Sequence, residues 1–295
     1  MNLSLSARNP FSLAAVVDSH GWASLAPFET DDEHSRLTYV ALLNTGQVAD
    51  LVVRQAGDGV TIEVDRALSK GEQAEVTGKL NWMLGLDQEL SHFYTLARDE
   101  PKLNRITERA QGRILRSPTL FEDTLKTILT TNTSWGGTVR MAEGLVSRFG
   151  QPLLKDPARR AFSTPEQLAA LNERSLRSEA GLGYRAPYVL ELAQAVASGS
   201  LDLESLKVSD APTAELRQQL LAIKGVGSYA AANLLMLLGR YDFIPVDSWA
   251  RKMVSHEWYD GEPVGPTGVE AAFEGWKEWK GLAYWFWDWS YVGEA

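Results

Sequence analysis

Apolar positions alternate along the first part of the chain and then fall into helical spacing. Residues 37–44 "LTYVALLN", 48–55 "VADLVVRQ" and 60–65 "VTIEVD" are runs rich in β-formers, separated by the turn signals "TGQ" and "AGDG". They predict an antiparallel sheet, and residues 70–86 "KGEQAEVTGKLNWMLGL" predict a helix across it. From Asp87 onward the period is near 3.6. Leu120, Phe121, Leu125, Ile128 and Leu129 form one stripe, and residues 138–150 "TVRMAEGLVSRFG" repeat it up to Gly150, a C-cap. Residues 164–171 "TPEQLAAL" start with a capping Thr164, with Glu166 near the capping-box position. Residues 184–199 predict a helix opening near Pro187. Residues 213–223 and 228–240 flank "KGVGS", and 268–289 "GVEAAFEGWKEWKGLAYWFWDW" close the pattern. The fold class is α+β: a small N-terminal antiparallel α/β domain, residues 1–86, followed by an all-helical domain, residues 87–295.

Composition narrows the chemistry. The 295 residues are 44% hydrophobic, enough for a sizeable core, with no apolar run of membrane-spanning length. The N-terminus lacks a signal-peptide pattern, so a cytoplasmic, nucleoid-associated location is expected. No cysteine is present, which excludes thiolate catalysis, iron–sulfur clusters and Cys-ligated zinc. His20, His34, His92 and His256 show no metal-ligand spacing. The net charge of −9 opposes phosphate binding on average, but the charge is uneven. Residues 29–33 "ETDDE" read as an acidic loop. Lys102, Arg105, Arg109, Arg113 and Arg116 recur every three or four residues, as on one solvated helical face.

The candidate chemistry gathers at residues 223–252, "IKGVGSYAAANLLMLLGRYDFIPVDSWARK". Gly225 and Gly227 allow positive φ and leave backbone N–H groups uncovered before a helix, an arrangement that suits a phosphate. The same turn also serves as a plain connector between helices. The apolar "FIPV" then delivers Asp247, which also suits the N-cap of the helix beginning "SWARKMV".

These residues resemble the helix-hairpin-helix DNA glycosylase superfamily. Its hairpin, slim helix and Pro-hydrophobic-Asp ending appear as "LLAIKGVGSYAAANLLMLLGRYDFIPVD". Residues 121–150, from "FEDTLKTILTTN" onward, look like the helix pair and wedge loop of 8-oxoguanine glycosylases, and "GLGYRAPYVLELAQAV" resembles the segment ahead of their hairpin. Three motifs in order cover residues 121–252.

The resemblance implies a base-flipping enzyme acting on double-stranded DNA with a damaged base, with no cofactor required and a monomeric chain. It makes Asp247 the carboxylate that stabilises the oxocarbenium-like sugar and orients water. It gives phosphate contacts to Lys224, Gly225, Val226, Gly227 and Ser228. It puts a structural K+ or Na+ on the backbone carbonyls of Leu221, Ile223 and Val226. Bifunctional members carry a lysine where this chain has Tyr229, so the resemblance implies a monofunctional enzyme with water as nucleophile. An aromatic there is shared with alkylation-repair enzymes, and a cationic alkylated purine attracts π faces.

Asn132 and Trp135 are wedge candidates, although a core role is common for Trp. Tyr184 belongs to the same group, and Arg185 either reads the partner base or is solvated. Tyr284 stands where 8-oxoguanine enzymes carry a glutamine. Tyr284 and Trp285 either line a base pocket or pack in the core. The leading expectation is excision of alkylated purines. An 8-oxoguanine-type glycosylase and a non-catalytic DNA-binding protein are the alternatives.

Overall fold

The computed structural model describes residues 1–290, which gather into two compact units. Unit one comprises Met1–Gln88 with Arg113–Val208; unit two comprises Glu89–Gly112 with the residues from Ser209 on. The helices after Asp87 are thus shared between the units.

Unit one holds an antiparallel sheet of five strands: β1 (Asn2–Ser6), β2 (Phe28–Thr30), β3 (Arg36–Leu42), β4 (Val48–Ala56) and β5 (Gly59–Val64), in the order β1-β5-β4-β3-β2. The three expected strands are β3, β4 and β5. Their register pairs Tyr39 with Leu51 and Val53 with Ile62, so one face buries Leu37, Tyr39, Leu51, Val53 and Ile62. Strands β1 and β2 were not expected. "NLSLS" has no β-branched or aromatic residue and "FET" is three residues long, so neither carries a strong strand signal of its own.

The helix Lys70–Leu84 follows. Its Ser69 cap and Glu72 form a reciprocal capping box, and Gly85 ends it at φ 58. The helices Leu120–Thr130 and Trp135–Phe149 bury the predicted apolar stripes. Gly150 ends the second in extended backbone, not in the left-handed region. A glycine is needed there because a Cβ would lie 2.2 Å from the Ala161 carbonyl oxygen. That oxygen follows a two-stranded ribbon (Pro152–Leu153 with Asp156–Arg160) that was not expected. In the helix Pro165–Ala169 the capping box runs from Thr164 to Gln167; Glu166, the expected partner, stands one position too early. The helix Ala186–Ala197 opens with Pro187 in its first turn.

The basic segment is not helical. Residues 101–110 form turns, and Ala110 at φ 51 and Gly112 at φ 121 leave the helical region. Arg113 is 2% exposed. Its guanidinium donates to the carbonyls of Gly85 (2.9 Å), Pro10 (2.6 Å) and Arg8 (2.6 Å). Arg116 is buried with its guanidinium 4.4 Å from the Trp82 ring. Periodicity placed these arginines on a face, whereas backbone carbonyls needing donors draw them inside.

Unit two is helical, with the principal helices Ser91–Ala97, Thr213–Leu221, Ser228–Leu237, Ser248–Trp258, Pro266–Ala272 and Lys280–Phe286. Residues 268–289 are therefore not one helix; Lys277 at φ 52, ψ −125 breaks the run. Among the described residues no helix is long and apolar enough to cross a membrane.

Candidate functional site

Unit two carries the hairpin and the aspartate. The turn between Thr213–Leu221 and Ser228–Leu237 closes with Val226 N–H donating to the Ile223 carbonyl at 3.0 Å. Gly225 sits at φ 90, where a side chain would be strained. Gly227 is the N-cap of the second helix, and no side chain caps that terminus. Lys224, Gly227 and Ser228 are exposed, while Ile223 and Val226 are buried and anchor the turn from below. Ala230, Ala231 and Ala232 are all buried, so the helix behind the turn can pack closely. The arrangement presents a fixed rim of backbone donors with positive helix-dipole character.

Asp247 is exposed and is the N-cap of Ser248–Trp258, its Oδ1 accepting from Ala250 N–H at 2.7 Å. Both sequence-level readings of the residue are therefore compatible: one oxygen caps while the other is left for chemistry. The stretch that leads to it is irregular yet tightly fastened. Thr213 Oγ1 donates to Asp242 Oδ2 at 2.8 Å, and the Arg217 guanidinium lies 4.9 Å from the Phe243 ring centre. Ile244 N–H donates to Glu270 Oε1 at 3.0 Å, and Gly281 N–H donates to the Tyr241 carbonyl at 2.7 Å. Ile244 and Pro245 are buried.

Tyr284 is the expected pocket residue that the structure brings to the aspartate. It is 5% exposed. Burial, and then the charge of Asp247 and the neighbouring Tyr229 phenol, push its hydroxyl above the ordinary tyrosine range, so it stays protonated. Tyr229, half-buried in the first turn after the hairpin, is thereby within electrostatic reach of the same group. Trp285 is half-buried, next along the helix.

One further exposed ring was missed in the sequence. Trp249, 47% exposed, lies edge-on to Tyr284 at 6.5 Å and to Trp289 at 5.6 Å. Its place two residues after Asp247 was the available signal. Behind them Phe273, Trp258 and Trp287 pack with centroids 5.0–5.2 Å apart. This C-terminal aromatic density is thus packed ring against ring, with Trp249 at its exposed edge.

Unit one carries the wedge candidates. Asn132 is exposed at φ 48, a left-handed conformation that asparagine tolerates. Trp135, 43% exposed, opens the helix capped by Ser134, and its ring covers Gly21, where a Cβ would lie 2.2 Å from Trp135 Cζ2. Tyr184 is 45% exposed, and its hydroxyl donates to the Thr131 carbonyl at 3.4 Å. Arg185 is not solvated. It is 5% exposed, lies 4.5 Å under the Tyr184 ring, and donates through Nη2 to the same carbonyl. "GLGYR" thus supports the loop from behind, and reading a partner base would require Arg185 to leave Thr131.

Among the described residues no cluster of His, Asp or Glu could hold a metal ion. The implied monovalent-cation ligands are backbone carbonyls. The bond accepted by Ile223 leaves its second lone pair available, so the turn fits such an ion.

The model of the HhH-GPD superfamily of base excision DNA repair proteins matches residues 125–279, and the chain belongs to that family. It is 26% identical over 206 residues to the "Probable N-glycosylase/DNA lyase" of Methanothermobacter thermautotrophicus, covering 62% of this chain and 64% of that protein. The chain thus spans a little under two thirds of that relative's length. It is 24% identical over 214 residues to the DNA-3-methyladenine glycosylase of Bacillus subtilis, covering 72% and 67%. The structure of the 3-methyladenine DNA-glycosylase from Archaeoglobus fulgidus superposes with a TM-score of 0.76 at 23% identity, over 97% of each chain, a likeness of fold.

Proposed function

We propose that the chain is a monofunctional DNA N-glycosylase that excises damaged, alkylated purines from double-stranded DNA. The observation that carries the reading is the grouping of Asp247, Tyr284 and Tyr229: a fastened, exposed carboxylate beside a neutral phenol, with a second phenol where a bifunctional relative needs an amine. The exposed hairpin rim takes phosphates on either side of the flipped nucleotide, independent of base sequence. A K+ or Na+ on the carbonyls of Leu221, Ile223 and Val226 would bridge that turn to a phosphate.

In the reaction the C1′–N bond breaks and its electron pair leaves with the base. Asp247 stabilises the cationic sugar and accepts a proton from the water that attacks C1′. An alkylated purine carries positive charge already, so aromatic faces such as Trp249 and Tyr284 favour it over neutral bases. The enzyme acts as a monomer on nucleoid DNA.

The test is release of bases from methylated DNA and from duplexes carrying 8-oxoguanine opposite cytosine, with and without alkali. Methylpurine release with strand breaks only after alkali supports the reading. Release of 8-oxoguanine instead moves the substrate class. Borohydride trapping of a covalent adduct overturns the monofunctional assignment, and loss of that adduct in Lys224→Ala would identify the amine. Tight binding without release of any base leaves a DNA-binding protein.

A further inference from the structure

Among the described residues no strand pairs with the segment that ends in Asp247, so its side-chain and backbone bonds to other elements set where it lies. Its backbone donors can be followed one by one. Ile244 N–H goes to Glu270 Oε1 at 3.0 Å; Pro245 has no N–H; Val246 N–H turns back to the Ile244 carbonyl at 2.9 Å. The tight turn that aims Asp247 therefore starts at a residue whose N–H is held by one side-chain oxygen. That residue is buried, at 3% exposure, where water is a poor substitute acceptor.

Glu270 sits on the helix Pro266–Ala272 and is itself held. Lys280 Nζ lies 3.1 Å from its Oε2 and 3.1 Å from Glu274 Oε2. Burial lowers the Lys280 ammonium's tendency to stay charged, but the two carboxylates outweigh that and raise its pKa, so Lys280 keeps its proton near neutrality. The next residue, Gly281, receives the other end of the segment: its N–H meets the Tyr241 carbonyl, and a Cβ would lie 2.6 Å from the Phe243 carbonyl oxygen. Lys280 and Gly281 thus locate both the carboxylate and the backbone it holds. Nothing in the chemistry proposed for base release uses Glu270, and its carboxylate touches the backbone three residues before the reacting group.

We infer that Glu270 is a positioning residue: by holding Ile244 N–H at a length and angle fixed through Lys280, it sets the approach of the Asp247 carboxylate to the sugar. The inference rests on the proposed role of Asp247. A displacement of about 1 Å at a reacting group costs on the order of a hundredfold in rate while leaving substrate binding by remote contacts intact. The geometry specifies reach together with the anchor on Lys280. Glutamine keeps the length and an oxygen for Ile244 N–H, but its amide NH2 then faces the Lys280 ammonium and that anchor is lost; aspartate keeps the charge but falls one methylene short.

The experiment compares Glu270→Gln, Glu270→Asp and Glu270→Ala for single-turnover release of methylpurines at saturating enzyme. Affinity for a duplex with a tetrahydrofuran abasic-site analogue is measured alongside. Glu270→Asp and Glu270→Ala are expected to lose at least about tenfold in rate with affinity within about twofold, and Glu270→Gln, which keeps reach but not the Lys280 anchor, to lose less than either. The reverse order, Asp active and Gln inactive, overturns the inference in favour of a charge effect. Parent rates in Asp and Ala overturn it outright. Where Glu270→Ala does not fold, the Gln and Asp variants carry the comparison.

Asp247→Asn, run in parallel, separates the two readings. If it retains activity, the role of Asp247 has failed. If it is inactive while Glu270→Asp is not, only the positioning role has. Hydrogen exchange gives a readout that needs no substrate: amides of residues 241–247 should exchange faster in Glu270→Asp than in Glu270→Gln, and protection equal to the parent's in both would overturn the inference.

Discussion

Two neighbouring carboxylates in unit one and one in unit two show the same functional group in opposite surroundings. On the helix Leu120–Thr130, Glu122 and Asp123 are 2% and 0% exposed. Glu122 pairs with Lys126 Nζ at 2.7 Å and accepts from Tyr39 Oη at 2.6 Å. Asp123 Oδ1 accepts from Trp22 Nε1 and from Ser117 N–H, both at 2.8 Å. These groups join a sheet strand, a loop and a helix inside one unit. Asp247 is instead exposed, and its own support comes through backbone bonds behind it. A carboxylate sealed among donors ties elements together. One carried at the rim of a fastened segment is free to meet a substrate. The fastening around a carboxyl group, more than its presence, decides whether it is sealed inside or left open at the surface.

The comparison breaks most sharply at Lys126, which is fully buried and also lies 4.6 Å from the Phe28 ring centre. Lys126→Ala strands the Glu122 charge and should cost about 3–5 kcal/mol of stability. Denaturant unfolding measures it. If stability holds while base release is lost, the cluster is chemical and the contrast is wrong. Asp247→Asn should do the opposite: base release falls on the order of a thousandfold, about 4 kcal/mol in barrier, while the cap survives through the remaining side-chain oxygen and abasic-site affinity is kept. Single-turnover kinetics with a binding titration decide it.

A pH series sharpens the contrast further. Burial first, opposed by the hydrogen bonds from Trp22 and Ser117, raises the Asp123 carboxyl from 3.8 to about 6. The folded form then binds the extra proton between about pH 4 and 6, so this group subtracts stability as pH rises through that window. Burial first, against the Leu115 carbonyl bond, lowers His20 from 6.5 to about 4. There the unfolded chain binds the extra proton, and the group subtracts stability as pH falls through the same window. Each effect is about 3 kcal/mol and the two oppose one another. Asp123→Asn should therefore make stability climb more steeply from pH 4 to 6, and His20→Gln should make it fall. Urea midpoints across the series check the signs. The smallest effect belongs to the surface: Ser69→Ala removes half of a capping box and should cost about 1 kcal/mol, seen as a modest drop in melting temperature.

Much was legible in the chain before any fold was known. Alternation at residues 37–65 placed three strands, and the 3.6 stripe placed the helices that follow, because both periods are local properties of the backbone. Two glycines, a slim alanine run and a Pro-Val-Asp ending identified the hairpin and its aspartate by the same logic: positive φ, close packing and a cap are each set by a few adjacent residues. What lay beyond reach was non-local. The periodic arginines at 113 and 116 turned inward because carbonyls of Arg8, Pro10, Trp82 and Gly85 lacked donors there. Arg185 turned to Thr131, whose carbonyl it shares with the Tyr184 hydroxyl. Glu270, Lys280 and Gly281 look like ordinary helix residues until the fold sets them against the segment before Asp247. Unpaired backbone groups and buried charges find partners wherever the fold provides them, often far along the chain, and no short-range pattern records which residue will answer.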